Sequence, residues 1–329
     1  MVAPLAVDEL CTNPIEISFA PSISGSFAKR NRVGGKLPPC TCGLRKWRLL
    51  SVNAVDEYAN LLNLSDVVGT RFGTEDFCLF LHSFVCINGP KTVVELGTGY
   101  GVSAFWMALG AKRNKIGHIW TVDDFEVFHR DKTFVKEIII RLREANIISL
   151  QHSTAEEYYS GISRLFGLDP YLTFVKSTMA LNEMGHFNHY PFAGVPIDLL
   201  FSDFQHGATA ILTLLGQFLP CMAPRSSIFI HSASTAWTSY LLLEQLCSLL
   251  NAGKVPKALQ EVCSVDLKEF ALTRRITLIH LTEWKKKDQN SAAWLNIEPV
   301  DVLPLPQSRM RGMNKEITAP EFAKVDAEI

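Results

Sequence analysis

The 329-residue sequence has no apolar run near the roughly 18 residues that a membrane-spanning helix needs. The nearest candidate, residues 211–223, is interrupted by Gln217 and Pro220. Cysteine is sparse: eight residues, among them a lone C-x-C pair at Cys40 and Cys42, supply neither a disulfide framework nor a zinc-finger spacing. There is no charge excess either. Lys+Arg 32 against Asp+Glu 33 leaves a formal −1, which advertises no nucleic-acid or anionic-membrane partner. The opening MVAPLAVDEL has no basic n-region and meets Asp8 and Glu9 before an apolar core forms. No secretory signal is expected, and the chain is expected to be cytoplasmic with reduced thiols.

A chain this long can bury about three quarters of its unfolded surface without staples. Residues 1–50 form an irregular arm whose charges between residues 17 and 50 (Lys29, Arg30, Arg32, Lys36, Arg45, Lys46 and Arg48) are all basic. Residues 51–66 and 74–87 carry helical patterns, ended by Asn88-Gly89-Pro90, and residues 51–90 are read as a helical cover. Strand-like runs at 92–96, 118–122, 147–151, 197–202 and 227–231 then alternate with helical stretches at 102–111, 132–145, 154–166 and 208–219. A further helix is expected at 236–250. This alternation predicts an α/β fold with a mostly parallel sheet covered on both faces. Runs at 265–273 and 276–282 predict a terminal antiparallel hairpin, and residues 285–329 a polar, proline-bearing tail.

The sharpest feature is Val93-Val94-Glu95-Leu96-Gly97-Thr98-Gly99-Tyr100-Gly101, an apolar run entering glycines ahead of a helix. Alternate glycines allow positive φ and close backbone approach to a ligand, and the following helix aims free N–H groups there. The spacing is G-x-G-x-G, unlike the dinucleotide G-x-G-x-x-G, which disfavours a dinucleotide oxidoreductase. Glu95 beside the loop would repel a pyrophosphate but suits a ligand with cationic amino and sulfonium groups. The next run ends in Asp123-Asp124. A carboxylate there can accept both ribose hydroxyls of an adenosine cofactor, or simply cap the next segment.

On these residues the sequence resembles the class I S-adenosylmethionine-dependent methyltransferases, over residues 74–284. The resemblance implies a Rossmann-like, doubly wound seven-stranded sheet in the order 3-2-1-4-5-7-6, with the last strand antiparallel, over residues 91–284. It implies S-adenosyl-L-methionine held by Glu95, Gly97, Thr98, Gly99, Tyr100 and Gly101, with Asp123 the ribose acid and Asp124 second choice. Thr154 and Ala155, in the run after the third strand, take the adenine contacts that it implies.

The fourth strand-like run leads into Ser202-Asp203-Phe204-Gln205-His206 and the fifth ends in His231. Ligands bind at the carboxyl ends of such strands, and no N/D-P-P-Y/F/W motif stands there to suggest a nucleic-acid or glutamine amine as acceptor. Asp-x-x-His at this place is similar to small-molecule O-methyltransferases of the cephalosporin-hydroxylase-like and macrolide-sugar type. That implies Asp203 as an anchor for substrate or cofactor and His206 or His231 as the general base. Each histidine is equally read as a structural hydrogen-bonder at a strand end. No second carboxylate follows the fifth strand, so no metal is expected. The aromatic-rich stretch 168–195 is read either as a lid over the acceptor or as a satellite packing outside the site, with the N-terminal helices a second cover.

The expected activity is methyl transfer to a hydroxyl of a small, moderately apolar molecule. The alternatives are an N- or protein methyltransferase and a non-catalytic cofactor-binding protein. The expected partners are a small-molecule methyl acceptor and a second copy of the chain, with no nucleic acid and no membrane.

Overall fold

A strand covered on both faces is buried along its length and mostly apolar, and β1 (Thr92–Leu96) is buried at all five positions, Thr92 and Glu95 included. With β2 (His118–Asp123), β3 (Leu172–Lys176), β4 (Ile197–Ser202), β5 (Met222–His231), β6 (Arg274–Thr282) and β7 (Ser291–Pro299) it forms one sheet. The strand order is β3-β2-β1-β4-β5-β7-β6. All neighbours run parallel from β3 to β5, and β7 is antiparallel to both β5 and β6. The computed structural model describes residues 57–66, 75–130, 132–144, 154–179, 190–233, 237–282 and 291–300. The basic arm, the 147–151 run, His186, Phe187, His189 and residues 301–329 lie outside these described residues.

Successive residues of a strand point to opposite faces. Val93, Ile119, Leu199, Phe201 and Phe229 face a core shared with α1 (57–66), α2 (Glu75–Asn88), α3 (Val102–Asn114), α4 (Glu126–Arg130), α5 (Lys132–Glu144) and α6 (Ala155–Leu165). Val94, Leu96, Val122, Leu200, Ile228 and Ile230 face the other, shared with α7 (Ala208–Phe218), α8 (Trp237–Asn251), α9 (Lys257–Glu261) and α10 (Lys268–Thr273). Among the described residues no helix is long and apolar enough to cross a membrane.

The N-terminal helices cover the sheet, and no residue of α1 or α2 lines the cavity described below. Trp106 of α3 donates through Nε1 to Ser65 Oγ at 2.6 Å, tying α1 down, and Lys112 reaches Glu57 at 2.8 Å. From α2, Phe80 and Phe84 set their rings edge-on to Phe229 at 5.5 and 5.1 Å, and Trp294 of β7 closes the group. Edge-to-face pairs of this kind add to the area that they bury.

The sheet order and the antiparallel last strand are as expected, but three elements fall elsewhere. The third strand is Leu172–Lys176, in register with Ile119–Asp123, inside the stretch read as a lid. Tyr171 and Phe174 there pack into the core, while Tyr190 stacks on Phe192 at 5.3 Å beneath Trp120. None of these aromatics lines the cavity, and the stretch holds a strand of the main sheet, which neither the lid nor the satellite reading foresaw. Residues 268–273 are helix α10, started by Asp266 accepting from the Lys268 N–H at 2.9 Å, so they cannot be a hairpin strand. The partner of β6 is β7, drawn from the segment read as tail. Short apolar runs do not reveal their own period, and the polar 285–290 stretch masks the buried positions Ala292, Ala293, Leu295 and Ile297 that follow it.

Phe229 is fully buried at the centre of the aromatic group that joins α2 to the sheet. Phe229→Ala is expected to destabilise the fold by about 3–5 kcal/mol, read as a lower midpoint in urea unfolding at unchanged m-value.

Candidate active site

The site starts where β1 ends, still paired on both sides. The Gly97 N–H donates to the Val122 carbonyl at 3.0 Å, on the β2 side, while the Leu96 carbonyl accepts from Asp203 N–H at 2.9 Å, on the β4 side. Beyond this peptide the chain leaves the strand direction at Gly97, whose φ is positive. Gly97 has φ 92° and would place a Cβ 2.6 Å from the Asp203 carbonyl oxygen, so no larger residue fits. Gly101 (φ 79°) starts α3, where a Cβ would press on Phe105 and Tyr159.

The loop is fastened from two sides. Asp123 Oδ2 accepts from the Thr98 and Gly99 N–H groups at 2.8 and 3.2 Å, and Oδ1 from the Phe125 N–H at 2.6 Å. The last bond closes a turn that holds Phe125 at φ 60°. From α6, Tyr159 donates to the Gly99 carbonyl at 2.5 Å and Tyr158 to the Tyr100 carbonyl at 3.3 Å. Burial pushes the Asp123 carboxyl above its ordinary value; the Phe125, Gly99 and Thr98 N–H groups oppose this and the Asp124 charge adds to it.

A cavity of about 560 Å³ opens over this loop, within the usual size of small-molecule sites. Of the residues expected to bind a cofactor, Gly97, Thr98, Gly99, Tyr100, Asp123 and Asp203 line it. Gly101, Glu95, Thr154 and Ala155 do not. Thr154 caps α6 in a reciprocal capping box with Glu157, and Ala155 is fully buried. Both precede β3 in the chain, so they are not the residues that follow its carboxyl end. Ser177, Thr178 and Met179 occupy that place and line the cavity, with Ser177 N–H bonded to the Asp123 carbonyl at 2.8 Å. Asp124, Glu126, Val127 and Arg130 supply one wall. The spacing of Glu126, Val127 and Arg130 on the short α4 would have pointed to one helix face had that helix been recognised.

Glu95 lies under the loop with no exposure. Its Oε1 accepts from the Ser103 hydroxyl, and Oε2 is buried without a hydrogen-bond partner. Burial pushes this carboxyl up to about 8, the Ser103 and Thr121 hydroxyls only partly offsetting it, with Asp203 and Asp123 adding repulsion.

At the other end stand Asp203, His206 and His231. His231 is buried and does not line the cavity; its Nδ1 lies 3.0 Å from Asp203 Oδ1. His206 does line it. Its Nδ1 faces the His231 carbonyl at 3.1 Å, and its Nε2 is 3.9 Å from Asp203 Oδ1. Burial alone would raise the Asp203 carboxyl, but the His231 hydrogen bond and the nearby imidazoles leave it below the ordinary value. Among the described residues no group of three or more His, Cys, Asp or Glu is arranged to hold a metal ion.

Residues 94–233, from β1 to just past β5, match a family model described as a methyltransferase domain. No curated protein matches the chain. Among solved structures, the chain is similar to the O-methyltransferase TomG of Streptomyces achromogenes, solved with S-adenosylmethionine. There the identity is 15%, over 75% of this chain and 96% of that one, at a TM-score of 0.38. An O-methyltransferase from Bacillus cereus with bound S-adenosylhomocysteine gives 13%, 74%, 97% and 0.42. A Podospora anserina methyltransferase, also with S-adenosylhomocysteine, gives 13%, 82%, 100% and 0.37.

The two loop glycines separate cleanly by experiment. Gly99 has φ 54° and nothing within 4 Å of an added Cβ, so Gly99→Ala should carry only the left-handed cost of about 1–2 kcal/mol. Gly97→Ala must also displace the Asp203 backbone, and is expected to destabilise the domain by at least about 1–3 kcal/mol more in urea unfolding. Equal losses for the two would refute the close approach at Gly97.

Proposed function

We propose that this chain is an S-adenosylmethionine-dependent methyltransferase that acts on a hydroxyl of a small, moderately apolar molecule. The observation that carries the acceptor side is the setting of His206 at the cavity. An Nδ1 facing a backbone carbonyl has to be the protonated nitrogen, so the His231 carbonyl assigns the tautomer and leaves His206 Nε2 as a lone-pair base.

The donor set suits the cofactor. Its methionine end is cationic, and the cavity walls carry Asp123, Asp124, Glu126 and Asp203 against Arg130 alone. A carboxylate offers about four acceptor positions. Asp123 has already committed three to backbone N–H groups. It can therefore hold one ribose hydroxyl without releasing the loop, and the second falls to Asp124, which accepts one hydrogen bond, from the Glu126 N–H at 2.8 Å. In this assignment the two neighbouring acids share the role that one was expected to fill. Ser177, Thr178 and Met179, beyond β3, form the wall for the adenine.

The cofactor supplies a methyl group on a sulfonium, which needs mainly alignment with its nucleophile. With the cofactor bound, its sulfonium methyl would pass to the acceptor oxygen, and His206 Nε2 would take the proton that this oxygen gives up. The resulting imidazolium faces the Asp203 carboxylate, itself kept ionised by His231. His231 is then a positioning residue. It fixes Asp203 through its side chain and His206 through its carbonyl.

Calorimetric titration with S-adenosylmethionine, S-adenosylhomocysteine and NAD tests the cofactor: one saturable site for the first two and none for NAD is expected. Absence of binding for the first two would sink the reading. With an acceptor in hand, His206→Ala is expected to lower kcat about 10²–10⁴-fold for neutral hydroxyls while cofactor affinity changes little. For an acceptor that is already a phenolate or carboxylate the loss should be far smaller. An equal loss for both acceptor types would remove the base role, and turnover of amines alone would replace the hydroxyl by nitrogen.

A further inference from the structure

Glu95 is a cost that the fold does not need for its own stability. It occupies a central strand position paired with Thr121 and Phe201, where an apolar residue would pack without a penalty. One of its oxygens has no partner. Yet a single side chain, Ser103, both holds its other oxygen and lines the cavity, so this carboxyl is one hydroxyl away from any bound ligand.

We propose that Glu95 is a proton-linked selector of ligand charge, ionising when a sulfonium-bearing cofactor occupies the cavity and protonated when the thioether product is left. This rests on the methyltransferase reading above. The groups that face Glu95 leave no other outlet. Asp123 from the end of β2 and Asp203 from beyond β4 both repel its negative charge, Tyr159 of α6 lies near as a neutral phenol, and the Ser103 and Thr121 hydroxyls are its polar neighbours. No cation stands among them to stabilise the ionised form. Burial and these acids hold the group protonated at neutral pH, with its carboxyl pushed up to about 8.

A cation in the cavity reverses the balance. Its attraction favours the carboxylate, so Glu95–COOH loses its proton to solvent as the ligand enters, and binding tightens as pH rises towards 8. After methyl transfer the sulfur is neutral, one positive charge has gone, and Glu95 takes a proton back from solvent. The ionised carboxylate then no longer favours the ligand that remains. The site thereby prefers fresh cofactor over spent product by an amount that grows with pH.

The test is calorimetric titration of the full chain with S-adenosylmethionine and with S-adenosylhomocysteine, between pH 6 and 7.5, in buffers of different ionisation enthalpy. For S-adenosylmethionine the expectation is release of close to one proton per site and affinity that rises about tenfold per pH unit. For S-adenosylhomocysteine the release should be less than half as large, so that the affinity ratio of the two widens with pH. Glu95→Gln has no proton to lose there, retains only what the ligands' own amino groups contribute, and should bind the two with a ratio independent of pH. If that variant does not fold, Ser103→Ala keeps the carboxyl and removes its hydrogen bond, and should move the pH dependence upwards. Binding of both ligands with equal proton counts, or an unaltered difference in Glu95→Gln, overturns the proposal while leaving the methyltransferase reading intact. Failure of either ligand to bind overturns both.

Discussion

The site depends on how β1 ends. β1 and β4 are neighbours in the sheet, yet the helices that follow them, α3 and α7, pack on opposite faces of it. That divergence opens the crevice, which in open α/β sheets is where ligands bind. At its edge the Gly97 backbone lies against the Asp203 carbonyl, and the Asp203 N–H bonds to the Leu96 carbonyl, so the glycine loop and the strand-four residues meet in direct contact. The loop and the Asp203–His206–His231 group are thus parts of one rigid arrangement, and the cavity is the space between them.

Three carboxyl groups around that junction have been given different tasks by their surroundings. Asp123 is spent largely on the backbone of the loop. Asp203 is held ionised by an imidazole. Glu95, in contact with hydroxyls alone and repelled by the other two, is held neutral. Three acids so close together could not all be charged without a cation, and the arrangement therefore anticipates one.

The aromatic content tells the opposite story to the one that its clustering along the chain suggests. Phe174, Tyr190 and Phe192, close together in the sequence beside histidines, were readable as a lid lining, but they are core packing, and the ring cluster of α2 joins that helix to β5 and β7. What faces the cavity from the same stretch is small and polar, Ser177 and Thr178, with one adaptable methionine.

The glycine spacing, the acid ahead of it and Asp123 at the end of the second strand were legible in the sequence, because each follows from a local constraint, positive φ or a carboxylate at a strand tip; the order of the sheet came only through the family resemblance that these residues carry. Asp203 and His206 were legible for the same reason. The third strand, the true hairpin and the cavity wall of Ser177, Thr178 and Met179 were not. Leu172–Lys176 and Ser291–Pro299 are strands because an open edge of β2 and of β5 accepts them, and no property of their own residues says so. Nor could sequence separate the two histidines. One is buried behind Asp203 and the other open to the cavity only because β4 and β5 bring residues 28 positions apart to hydrogen-bonding distance, and burial is decided by packing alone.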